Sequence, residues 1–192
     1  MRSATSRPLH PLLVLLLGAA CFVPIPLLAA LRAQNPAAAA TPGAATKQLV
    51  GRALPDVSVQ DYDLKPVKFS TFKGKPAIIT FWATWCGPCV REMPTFQKLL
   101  DDYKGRLQIL AVATSDARPD SIAFIKKHPE YRFTFLHDPD WQGGNSRLAE
   151  AFGIVGLPTN LFIDAKGAVV DVWLGSGNEA ALVKRVQGLM AK

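Results

Sequence analysis

The sequence predicts an α/β fold, a central mixed sheet flanked by helices. Three observations predict it. Residues 77–82 form a continuous apolar run, as a strand buried on both faces requires, and 107–113 reads as the next buried strand. Between them, 86–103 carries Met93, Phe96, Leu99 and Leu100 at helical spacing, so strand, helix and strand form a parallel unit. Asp164-Ala165-Lys166-Gly167 is a hairpin turn joining 160–163 to 169–174, which adds antiparallel strands to that sheet.

At 192 residues the chain has room for one domain of ordinary size plus appendages. The net charge is +7, of which Arg2, Arg7 and Arg32 supply three, leaving +4 beyond Arg32. The remaining basic residues are scattered. No stripe of Lys and Arg with aromatic platforms marks a nucleic-acid surface, so no nucleic-acid partner is expected.

Residues 1–11 hold Arg2 and Arg7 and no acid, and 12–31 then run 20 residues without a charge. This is the pattern of a signal segment or a single membrane-spanning anchor, with Pro24 and Pro26 as kinks. The flanking charges favour the N-terminus inside and the domain outside. Cleavage after Gly18-Ala19-Ala20 is the alternative, with Cys21 then first and open to lipidation. In each case the domain is extracytoplasmic. Residues 33–48 are rich in Ala, Pro and Thr and read as a flexible tether. The expected organisation is therefore anchor 1–32, linker 33–48 and a folded domain over 49–192.

The domain opens with alternation over 54–59, a turn at 61–63 and alternation again over 66–69, which reads as an N-terminal hairpin. Strand 77–82 follows, then the helix ended by Gly105, with Pro94 inside it. After strand 107–113, a helix is expected over 120–128, opened near Asp120 or Ser121 and stopped by Pro129. A short strand over 133–136, a polar loop over 138–144 and a helix over 146–152 ended by Gly153 come next. This βα insertion precedes Gly156-Leu157-Pro158-Thr159. The last helix begins after Ser176 or Asn178 and buries Leu182, Val183, Val186, Leu189 and Met190.

Candidate chemistry lies at Trp85-Cys86-Gly87-Pro88-Cys89, where the first buried strand gives way to a helix. A helix N-terminus carries partial positive charge and free N–H groups, which favour a thiolate. The spacing lets the two sulfurs close a small ring, so the pair can cycle between dithiol and disulfide. Pro88 falls in the first helical turn, where a missing N–H costs little. A structural disulfide is the alternative, although so short a loop gains little. Half of a zinc site is another, but the one further cysteine is the distant Cys21. Redox exchange is the preferred reading, and His128 and His137 read as ordinary surface histidines.

The string Phe81-Trp82-Ala83-Thr84-Trp85-Cys86-Gly87-Pro88-Cys89 resembles the active site of the thioredoxin superfamily. Extended through Val90-Arg91-Glu92-Met93-Pro94, it is similar to the TlpA/ResA-like (CcmG/DsbE-like) branch of extracytoplasmic thiol-disulfide oxidoreductases. The resemblance covers about residues 49–190. It implies a thioredoxin-like fold in which Pro158 is cis and faces the cysteine pair, leaving the Leu157 backbone free to pair with an extended client. It implies client contact at Trp85, Gly87, Pro88, Leu157 and Pro158, with Trp82 packed beneath. The buried aspartate of thioredoxin is replaced here by Thr80, which does not titrate near neutrality. Glu92 stands where ResA-type proteins carry a glutamate proposed to tune their cysteines; it is expected to raise the thiol pKa values and assist proton transfer at Cys89. The plainer reading of Glu92 is a carboxylate favoured by the helix dipole.

The expected activity is reduction of client disulfides, with Cys86 attacking and the more buried Cys89 resolving. Nothing in the chain binds flavin or nicotinamide, so no cofactor is expected and a membrane thiol electron donor must re-reduce the pair. The resemblance points to disulfide-bearing clients such as apocytochromes c or the copper-site proteins of cytochrome oxidase. A peroxiredoxin-like peroxidase is one rival, because Thr84 lies two residues before Cys86; the upstream Pro such enzymes carry is absent. A copper-binding module using both cysteines and His137 is the other.

Overall fold

The computed structural model describes residues 43–141 and 146–191, and every structural statement below concerns these residues. Seven strands form one mixed sheet in the order β2-β1-β5-β4-β3-β6-β7. They are β1 (Ser58–Gln60), β2 (Pro66–Lys68), β3 (Ala77–Trp82), β4 (Gln108–Ala113), β5 (Thr134–His137), β6 (Thr159–Ile163) and β7 (Val169–Leu174). The helices are α1 (Ala44–Lys47), α2 (Gly87–Asp102), α3 (Arg118–Lys127), α4 (Arg147–Phe152) and α5 (Glu179–Met190).

The apolar run of β3 is buried along its whole length because the strand is central. It pairs parallel with β4 and antiparallel with β6. Alternate residues then serve two cores. Ile78 and Trp82 face α2 and α5, meeting Met93, Phe96, Leu182 and Val186. Ile79 and Phe81 face the opposite side, with Phe69, Leu148, Phe152 and Leu161. Phe152 is gripped there between Phe69 and Phe81, with ring centroids 5.5 and 5.1 Å away. The N-terminal hairpin is present, β1 against β2, and it joins the sheet through Gln60 opposite His137. β5 and α4 supply the inserted strand and helix, with β5 parallel to β4.

Element ends follow local chemistry. Ser146 caps α4 through the Ala149 N–H, and Asn178 caps α5 through the Ala181 N–H. Helix α3 starts at Arg118, two residues before the expected opening. Pro119 occupies its first turn, where a missing N–H is harmless, and Ala117 offers no side-chain cap. His137 is also corrected. It is not a surface residue but ends β5 and is buried, with Nε2 3.3 Å from the Asp116 carbonyl.

The anchor expected over 1–32 and most of the linker lie outside the described residues. Among the described residues no helix is long and apolar enough to cross a membrane. The end of the expected linker is not a tether. Residues 44–47 form α1, and buried Thr46 donates its hydroxyl to the Gly153 carbonyl. Gly153 has φ +61°, and a Cβ there would lie 2.8 Å from the Thr46 nitrogen, so the contact requires glycine. Short alanine-rich sequence does not form helix alone, and the docking partner decides it. A fragment starting at Leu49 is therefore expected to be less stable than one starting at Ala40 by roughly 1–2 kcal/mol, the scale of one buried hydrogen bond plus its packing. Urea midpoints of the two fragments check this; equal midpoints would remove α1 from the folded unit.

Candidate active site

Cys86 is the N-cap residue of α2, and its sulfur accepts the Cys89 N–H at 3.3 Å. The helix mouth thus offers one donor and its dipole to any charge on Cys86. Cys89 lies one turn in, and the two are joined as a disulfide with Cα atoms 5.3 Å apart. The expected contrast in burial is small, at 4% exposure for Cys86 and 2% for Cys89. Gly87 and Pro88 form the first turn of the helix.

Trp85 is 65% exposed, yet its indole N–H donates to the Ser115 carbonyl at 2.7 Å. The ring is thereby held in place on the surface. Trp82 lies fully buried beneath, against Phe124 and Phe135. The Leu157–Pro158 peptide is cis, and Pro158 is buried while Leu157 is half-buried. A groove of about 270 Å³ opens between these parts. Trp85, Ser115, Trp141, Val155, Gly156 and Leu157 line it, and none of its lining residues is ionisable.

Sequence reasoning missed the brace under this segment. Asp116, buried after β4, accepts both the Thr84 N–H and the Thr84 hydroxyl at 2.9 Å. Three hydrogen bonds from the Ser115–Asp116 turn thus fix the two residues that precede Cys86. The available signal was positional, since Asp116 follows the C-terminal end of a parallel strand adjacent to β3.

Glu92 is not a solvated carboxylate. It is 6% exposed, and it accepts the Gly177 N–H at 3.1 Å and the Asn160 side-chain amide at 3.2 Å. Burial pushes its pKa up from the ordinary glutamate value, and the two donors partly offset this. The folded state therefore holds this proton more tightly than the unfolded chain does. Stability from this group is fullest below the unfolded pKa and is lost as pH rises through the folded one. Glu92→Gln removes the buried charge and keeps the shape. It is expected to stabilise the oxidised protein at neutral pH by about 1 kcal/mol, the low end of a buried-group desolvation cost. The gain should fade toward pH 4.5 and below. Denaturant titrations at several pH values check it; a loss of stability that grows with pH would reverse the sign. Asn160 and Gly177 carried no sequence signal, because both act across the sheet or from a loop.

The copper constellation is not assembled. Among the described residues no three His, Cys, Asp or Glu side chains gather as a metal-binding group.

Residues 50–172 match the AhpC/TSA family. The thiol-disulfide oxidoreductase ResA of Bacillus thuringiensis subsp. konkukian is 34% identical over 128 residues, spanning 65% of this chain and 69% of that protein. Among solved structures, DsbF of MTB in mixed oxidised and reduced forms superposes with a TM-score of 0.60 at 30% identity, over 70% of this chain and 95% of that one. A thiol:disulfide interchange protein of the thioredoxin family from Chlorobium tepidum TLS gives 0.60 at 26% identity, over 71% and 94%. A cysteine pair at a helix mouth on this fold, in a chain similar to proteins of that activity, fixes the class of chemistry. The chain belongs to the AhpC/TSA family, and within it to the TlpA/ResA-like thiol-disulfide oxidoreductases built on the thioredoxin fold.

Proposed function

We propose that the protein works on the extracytoplasmic side as a reductase of client protein disulfides, with Cys86 as the attacking sulfur. The observation that carries this reading is the placement of Cys86. It caps α2, accepts the Cys89 N–H, and lies next to the exposed Trp85. The Cys86 thiolate attacks one sulfur of the client disulfide and the other client sulfur leaves as a thiolate. Cys89 then gives up its proton and attacks Cys86. The second client sulfur leaves, and the pair ends as the observed disulfide. Two electrons have passed to the client, and a membrane thiol donor returns them.

Glu92, one turn beyond Cys89 on α2, is the acceptor for the Cys89 proton. Trp85, Gly87, Pro88 and the Leu157–Pro158 peptide form the client-facing rim, and an extended client segment pairs with the Leu157 backbone. Disulfides of apocytochromes c or copper-site proteins are suitable clients by family resemblance. The uncharged stretch 12–31 would hold the domain at the membrane where such clients are assembled.

The test is the reduction potential of the Cys86–Cys89 pair, equilibrated against glutathione buffers of known poise. A potential well below the glutathione couple supports a reductase. A potential near those of strong oxidants makes the protein a disulfide donor.

A further inference from the structure

Asn160 is fully buried, and its side-chain amide uses only one end. Nδ2 donates to Glu92 Oε2 at 3.2 Å, while Oδ1 has no hydrogen-bond partner among the described residues. A buried amide is normally fixed by partners at both ends. Here nothing anchors the orientation except the carboxylate itself. The other Glu92 oxygen is held by the Gly177 N–H, a donor that cannot turn round. Position 177 admits only glycine, because a Cβ there would fall 1.6 Å from the Trp173 ring.

The sheet register explains the arrangement. Thr80, Asn160 and Trp173 are directly opposite one another on β3, β6 and β7, so their side chains share the face that α2 covers. On α2 itself the neighbours of Glu92 that carry ionisable groups are Cys89, one turn before it, and Arg91, adjacent in sequence. β3 and β6 contribute Thr80 and Asn160, neither of which titrates. From β7 and α5 come Asp171 and Arg185, paired with each other with Arg185 over the Trp173 ring, and Glu179 at the start of α5.

We propose that Asn160 is the positioning residue of Glu92, a swivelling amide that donates to the carboxylate and, once turned over, accepts from the carboxylic acid. The inference rests on Glu92 being the acceptor of the Cys89 proton. When the Cys89 S–H bond breaks, its proton goes to Glu92 Oε2. The carboxylate becomes an acid whose O–H now needs an acceptor. Rotation of the Asn160 amide brings Oδ1 to face it, at the expense of no other hydrogen bond. The Cys89 thiolate forms its bond to Cys86 as the client sulfur leaves. Glu92 thus keeps a hydrogen bond to Asn160 in both charge states during resolution.

The experiment uses the full chain in its reduced form, with nitrogen-15 label in asparagine and carbon-13 label in glutamate. The Asn160 side-chain amide and the Glu92 carboxyl carbon are followed against pH, with Glu92→Gln assigning both. The expected result is a common midpoint for the two signals. Asn160→Leu, of similar size and without hydrogen bonding, should slow the release of client from Cys86 by about tenfold near that midpoint and change the shape of the pH profile. An amide signal indifferent to the Glu92 titration overturns the inference, and this readout needs no variant of Asn160 to fold. An unaltered profile in Asn160→Leu overturns it too, when Glu92→Gln does alter the profile. If Glu92→Gln also leaves the profile unchanged, the Glu92 reading falls and the inference falls with it.

Discussion

Cys86→Ser is expected to abolish thiol-disulfide exchange, by on the order of a thousandfold or more, because no other described thiol stands at a helix mouth. Cys89→Ala should behave differently. The first attack still proceeds, but nothing displaces the client, so the mixed disulfide with Cys86 accumulates. Non-reducing electrophoresis and intact-mass measurement of each variant with a disulfide substrate separate the two roles. Trapping by Cys86→Ser rather than by Cys89→Ala would exchange the assignments. The burial figures alone do not decide this, since they differ by only two percentage points. The decision comes from position: Cys86 is the cap at the helix mouth and Cys89 lies one turn inside the helix.

Asp116→Ala carries the second large effect. Two hydrogen bonds to a buried carboxylate are lost, and the Thr84 N–H and hydroxyl are left without it. A stability loss of roughly 3 kcal/mol is expected, together with slower exchange as Trp85 and Cys86 lose their fixed entry into α2. Asp116→Asn keeps one acceptor and should lose about half as much. Urea unfolding and kcat/KM with a disulfide substrate measure both consequences. A variant within 0.5 kcal/mol of the parent, the range of about ±0.5 kcal/mol usual for featureless sites, would mean that the turn after β4 does not brace the site.

The strands of the central sheet were legible because burial on both faces leaves an unbroken apolar run, and β3 was read to its observed ends. The cysteine pair was legible because two sulfurs and a proline at a strand-to-helix join admit few alternatives. What sequence did not disclose is mostly contact made across the fold. Thr46 looked like part of a tether because its partner, the Gly153 carbonyl, lies 107 positions away. His137 looked exposed because the hairpin that meets β5 is distant in sequence. Glu92 could be placed on α2, but its burial depends on Asn160 and Gly177, which α2 meets only after the sheet closes.

The groove beside Trp85 bears on solution behaviour. Its lining carries no ionisable side chain, so a partner entering it exchanges water for van der Waals contact rather than for ion pairs. Within the groove there are no ion pairs for added salt to screen. Seating of an apolar segment in this groove would therefore depend on shape and persist across swings in ionic strength.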